Sequence, residues 1–83
     1  MSKLDALLEL LGDEEVLLAN GFEGALIGIV RQFGKPMAVY DRTQCIECLI
    51  DQGVEPDEAE EYFQFNVEGA WVGDQTPCFL EKI

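Results

Sequence analysis

The chain has 83 residues, 48% of them hydrophobic, and carries 17 acidic against 5 basic side chains with no histidine, a formal charge of −12. Like charge disfavours direct contact with nucleic acid or an anionic membrane. The missing histidine removes the commonest general base and metal ligand. One domain over residues 1–83 is expected, and a domain this small hides its apolar surface with difficulty. Two readings stay open: a tight monomer with an exposed apolar patch, or a homo-oligomer that covers it. The homo-oligomer is preferred.

Ser2 is placed to cap a first helix, with Asp5 three residues on in a short variant of the capping box. Leu4, Leu7, Leu8 and Leu11 then fall at i, i+3, i+4 and i+7. They make one apolar stripe on a leucine-rich helix over residues 1–12, ended by Gly12. The stripe is core, or else an oligomer seam or a docking helix. Asp13 to Ala19 read as a second short helix, and Asn20-Gly21 as a turn. From Ala25 to Phe33, β-branched and apolar residues predict a central strand, in which Gly28 marks a bulge or the close approach of another backbone.

Gly34-Lys35-Pro36 reads as a turn into a second strand over Met37–Tyr40, completing an antiparallel hairpin. Asp41 caps the next helix, with Gln44 at the reciprocal position, and Gly53 stops it. Pro56 suits the first position of a further helix, with Asp57 and Glu58 matching its dipole. That helix is expected to run to about Val67 and end at Gly69. Trp71-Val72 and Cys78–Ile83 read as a broken or final strand. The order α, β, β, α, α, β predicts an α+β domain: a small, mostly antiparallel sheet of about three strands packed with two to three helices.

The stretch Glu58–Pro77 concentrates rings and carboxylates and holds the chain's single tryptophan. Tyr62, Phe63 and Phe65 cannot all face one way on a helix, so they divide between the core and a neighbouring surface. Cys45 and Cys48 have C-x-x-C spacing but sit about a turn inside a helix. Buried packing is the simpler reading; redox chemistry, or metal binding with Cys78, is the rival. The carboxylates of the third helix read as a solvated face, and no calcium-loop, phosphate-loop or dinucleotide motif is present. No cofactor is expected. Arg31, Tyr40, Arg42, Asn66 and Trp71 are candidate ligand or partner contacts. Arginine forks grip phosphate and rings stack bases, whereas the bland alternative is arginines paired with local carboxylates and Asn66 tying down a turn.

Several segments carry a resemblance: Gly21-Phe22-Glu23, Tyr40-Asp41-Arg42 with Cys45-Ile46-Glu47, the run from Asp57 to Val67, and Gly69-Ala70-Trp71-Val72-Gly73. Over roughly residues 20–80 the chain resembles small uncharacterised proteins encoded by bacteriophages and prophages. The resemblance implies an origin and no activity. The expectation is a phage-derived, non-catalytic binding protein in the host cytoplasm that blunts a host function such as defence. Its partner is either a host protein, met by an acidic face, or a small nucleotide-like ligand held in a pocket. A structural or assembly oligomer and a cysteine-based redox or metal protein are the alternatives. The odd cysteine count, with no signal peptide or transmembrane run, fits a reduced cytoplasmic setting.

Overall fold

A two-residue turn at Phe33-Gly34, both with positive φ (55° and 76°), folds the middle of the chain into a hairpin. The computed structural model describes residues 2–70, 73 and 76–83. Strands β1 (Leu26–Gln32) and β2 (Lys35–Asp41) pair antiparallel across this turn. A turn with two left-handed residues matches the twist of its flanking strands. It comes one residue earlier than the Gly34-Lys35-Pro36 expectation, and Lys35 and Pro36 lie inside β2. Proline is tolerated there because, among the described residues, the ladder of β3 (Cys78–Leu80) joins β2 only from Val39 onward.

The strand order is β1-β2-β3, which puts β1 at an edge and β2 in the centre, where the sequence suggested a central β1. The register shifts between Leu26 and Gly28, so Ile27 is a bulge. A Cβ on Gly28 would meet nothing within 4 Å, which leaves the bulge as the reason for irregularity there. β3 runs parallel to β2 because two helices carry the chain from one end of β2 back to the other before β3 begins. The result is a mixed sheet of three strands with three α-helices, the small α+β fold read from the sequence.

Helix α1 (Lys3–Leu11) opens with the reciprocal cap: Asp5 N–H donates to Ser2 Oγ at 3.1 Å, and Ser2 N–H to Asp5 Oδ2 at 3.4 Å. Leu7 and Leu11 are buried, Leu4 is half-buried, and Leu8 is 55% exposed. Half of the leucine stripe is therefore spent on the chain's own core. The helix expected over Asp13–Ala19 does not form. Long-range anchors hold that segment instead: Ala19 N–H donates to the Tyr40 hydroxyl at 2.9 Å, and Glu14 pairs with Arg31. A single turn of 3₁₀-helix, Glu23–Ala25, leads into β1.

α2 (Arg42–Asp51) starts where the Asp41 carboxylate accepts the Gln44 N–H at 3.2 Å. α3 (Pro56–Phe63) begins on Pro56 and then widens into a π-helix over Gln64–Glu68. Gly69 closes it, its N–H donating to the Gln64 carbonyl at 3.0 Å. A Cβ at that position would stand 2.9 Å from the same oxygen, so the wide turn requires glycine. The expected Trp71-Val72 strand lies outside the described residues. The layers meet in one core, where Phe63 makes edge-to-face contacts with Phe22 and Phe79 at centroid distances of 6.0 and 5.0 Å. Among the described residues no helix is long and apolar enough to cross a membrane.

Candidate functional site

Of the residues proposed from sequence as ligand contacts, the described ones are not gathered into one pocket. Arg31 stands beside the hairpin turn, opposite Pro36, whereas Arg42 follows Asp41 at the far end of β2. About five residues of ladder, at roughly 3.3 Å each, separate the two. Each arginine is also engaged. Arg31 pairs with Glu14 and donates to the Leu10 carbonyl at 3.3 Å. Arg42 holds Glu68 through Nε and Glu60 through Nη2, all at 3.2 Å, with its guanidinium 5.7 Å from the Phe63 ring centroid. The Glu68 hydrogen bond is the main reason its pKa rises further.

Tyr40 is 1% exposed, so its ring has no face to offer a base. Burial pushes its hydroxyl pKa up, and that hydroxyl is occupied by Ala19. Asn66 is exposed and donates to the Tyr62 carbonyl at 3.2 Å, which stitches the α-to-π junction. Trp71 lies outside the described residues. Of the leucines considered as a seam, Leu7 and Leu11 are core and only Leu8 is broadly open.

The cysteines are set for packing. Cys45 is fully buried on the inner face of α2, and desolvation pushes its thiol up to about 12. Cys48 moves in the same direction for the same reason, with Asp51 and Glu47 adding repulsion. A thiol held neutral is a poor nucleophile and metal ligand. Cys78 is on β3, its Sγ 3.7 Å from the sulfur of Met37. Among the described residues, no group of three or more cysteine or acidic side chains is arranged to hold a metal ion.

Among the described residues, one hollow of about 230 Å³ lies between α1 and β1, lined by Leu7, Leu10, Leu26 and Ile27, and a group of others lies around Tyr62. Three adjoining hollows share this ring. One of about 330 Å³ runs to Asn20-Gly21 over Phe22, Leu49 and Val67. Another of about 420 Å³ includes Val54 and Glu58. The third, about 330 Å³, is lined by Glu58, Glu61, Tyr62, Phe65 and Asn66. The lining mixes apolar side chains (Phe22, Leu49, Val54 and Val67) with Asn20, Gln52 and Asn66, and the carboxylates of Glu58 and Glu61 stand among them. Tyr62 is 51% exposed and Phe65 72%. Among the described residues neither Glu58 nor Glu61 meets a cation.

Glu58, Glu61, Tyr62 and Phe65 are spaced i, i+3, i+4 and i+7, so one helical stripe interleaves acids with rings. From sequence these acids read as a solvated face and Tyr62, Phe63 and Phe65 as rings divided between the core and a neighbouring surface. The i, i+3, i+4, i+7 spacing was the signal available for finding the stripe. The widened turn over Gln64–Glu68 carries Phe65 and Asn66 to the edge of this hollow. No protein-family model matches the chain, and no curated protein or solved structure matches it either.

Proposed function

We propose that this chain is a non-catalytic binding protein that captures a basic segment of a protein partner in the groove around Tyr62. One observation carries the reading: Glu58, Glu61, Tyr62 and Phe65 form a single exposed stripe of carboxylates and ring faces lining a hollow beside α3. An arginine or lysine laid on an exposed ring gains about 0.5–1 kcal/mol. A neighbouring carboxylate adds charge-assisted hydrogen bonds. An apolar residue beside that cation has the side chains of Leu49, Val54 and Val67 to pack against. The chain's charge of −12 steers a basic partner toward it.

This acidic route is favoured over capture of a nucleotide-like signal, because Arg31 and Arg42 are already paired with carboxylates and Tyr40 is buried. In keeping with the phage and prophage proteins that its sequence resembles, the chain would blunt a host function by occupying a basic surface of a host protein.

The test is a calorimetric titration with peptides in which arginines or lysines alternate with apolar residues. Tyr62→Ala combined with Glu58→Gln is expected to weaken binding at least tenfold. Equal binding by that variant would place the site elsewhere. If native mass spectrometry shows nucleotide adducts while basic peptides fail to bind, the sequestering reading would replace this one.

A further inference from the structure

The hairpin leaves one row of backbone groups unused. Among the described residues β1 has a neighbour on one side only, since the strand order is β1-β2-β3. Antiparallel neighbours alternate between pairs that exchange hydrogen bonds and pairs whose N–H and C=O groups point away from each other. Pro36 has no N–H, so Arg31 and Pro36 form a pair of the second kind, and Ile29 with Ala38 repeats it two residues on. The N–H and C=O groups of Ile29 and Arg31 therefore point to the open edge of the sheet. Among the described residues none of them has a partner there.

The hollow of about 230 Å³ between α1 and β1 runs beside that edge. Two of its walls are uncovered apolar side chains: Leu10 on α1 is 62% exposed, and Ile27, at the bulge, 44%. Between them the wall is low, because a Cβ added at Gly28 would meet nothing within 4 Å, and another backbone can approach closely. Arg31 donates to the Leu10 carbonyl at 3.3 Å and pairs with Glu14, which holds the end of α1 beside the strand and keeps the groove preformed. Near the start of β1 stands Lys3, whose Nζ uses one of its donors on the Gly24 carbonyl at 2.9 Å. No carboxylate lines this hollow among the described residues.

These features select an occupant. An acyl chain or a packed helix could fill the apolar walls, but neither could use the row of backbone donors and acceptors. An extended chain uses both, since its backbone pairs with Ile29 and Arg31 while every second side chain turns toward α1. We propose that the open edge of β1 accepts an extended segment of a protein partner as a fourth strand of the sheet, with alternate apolar side chains in the hollow and a carboxylate beside Lys3. The site shares no lining residue with the Tyr62 groove and prefers the opposite charge.

An amide NMR titration of the full chain with a short peptide, alternating leucine with threonine and ending in a free carboxylate, tests this. Saturating peptide should slow hydrogen exchange at the Ile29 and Arg31 amides at least tenfold. N-methylation of every second peptide amide should weaken binding at least tenfold in one phase and not in the other, because only alternate amides face β1. That comparison uses the wild type and so does not depend on any variant folding. Leu10→Glu should weaken binding with an unchanged circular dichroism spectrum, and Lys3→Gln should weaken the free-acid peptide but not its amidated form. Tyr62→Ala with Glu58→Gln should leave binding unchanged, so this site and the Tyr62 groove stand or fall separately. Absence of protection at Ile29 and Arg31 in millimolar peptide would overturn the proposal. So would equal binding by both N-methylated phases, or protection that grows with protein concentration alone and so assigns the edge to a second copy.

Discussion

Tyr62 and Val30 are exposed to a similar degree, 51% and 41%, but in opposite electrostatic surroundings. Tyr62 shares its hollows with Glu58 and Glu61. Val30 belongs to a sheet face whose single carboxylate, Asp41, is matched by Lys82. The same kind of exposed apolar group therefore stands in two different electrostatic settings. In the proposed reading, the ring beside carboxylates that meet no cation among the described residues is a handle for a cation-bearing partner. The charge of −12 is thus unevenly distributed, concentrated on the helices and loops and nearly absent from the strands.

The comparison holds only while the two layers stay joined, and the strongest way to break it is at Phe63. That ring is 0% exposed and wedged edge-on between Phe22 and Phe79, linking α3 to β3. Phe63→Ala is expected to cost about 3–5 kcal/mol. A chain of this size has roughly 4–12 kcal/mol in all. Urea unfolding checks this, and a loss below about 1 kcal/mol would mean that the layers are coupled elsewhere.

Salt sharpens the contrast next. Raising ionic strength from about 0.05 to about 0.5 M is expected to weaken basic-peptide binding at the groove by about tenfold, because opposite charges are screened. Binding of the leucine–threonine peptide at the β1 edge should change much less, since backbone pairing and apolar contact carry it and Lys3 is its one charged contact. Titrations of both peptides across the same salt series read the two sites. An equal loss would remove the distinction between the two surfaces.

The smallest expected effect is at Asp41, where the layers meet electrostatically. The Gln44 N–H and the hydrogen bond from Lys82 hold its carboxyl below the ordinary value of 3.8. A depressed carboxyl stabilises the fold fully above the unfolded-state pKa and loses that contribution as pH falls through the folded one. Asn can still cap α2 but carries no charge. The wild type's margin over Asp41→Asn should be constant from pH 7 down to about pH 4 and then shrink in stronger acid. Thermal midpoints of the two proteins across that range check the sign, and a margin that grows in acid would refute it.

Local punctuation was well legible in the chain. Ser2 with Asp5, Asp41 with Gln44, Pro56, and the stops at Gly12, Gly53 and Gly69 all act over a few residues, and each stands at or beside the element end it marked. The candidate site was much less legible. Arg31, Tyr40 and Arg42 have the right chemistry for a ligand, but Glu14, Ala19, Glu60 and Glu68, each 17 to 26 residues away, take up their bonding capacity. Nothing in a linear pattern shows such a partner. The Tyr62 stripe was present as a spacing, but its groove needs α2 and the Asn20-Gly21 turn brought against it.

By itself, the sequence determined the order of elements, their caps and breaks, the small α+β fold and the acidic character of the chain. These follow from backbone preferences and composition, which do not depend on where the rest of the chain goes. Only the tertiary structure decided that β3 runs parallel to β2, that β1 is an edge, and that Asp13–Ala19 is held by Tyr40 and Arg31 rather than by a helical ladder. It also decided that half the leucine stripe is core. In each case distant side chains compete for the same partners and the same buried volume, and close packing settles that competition.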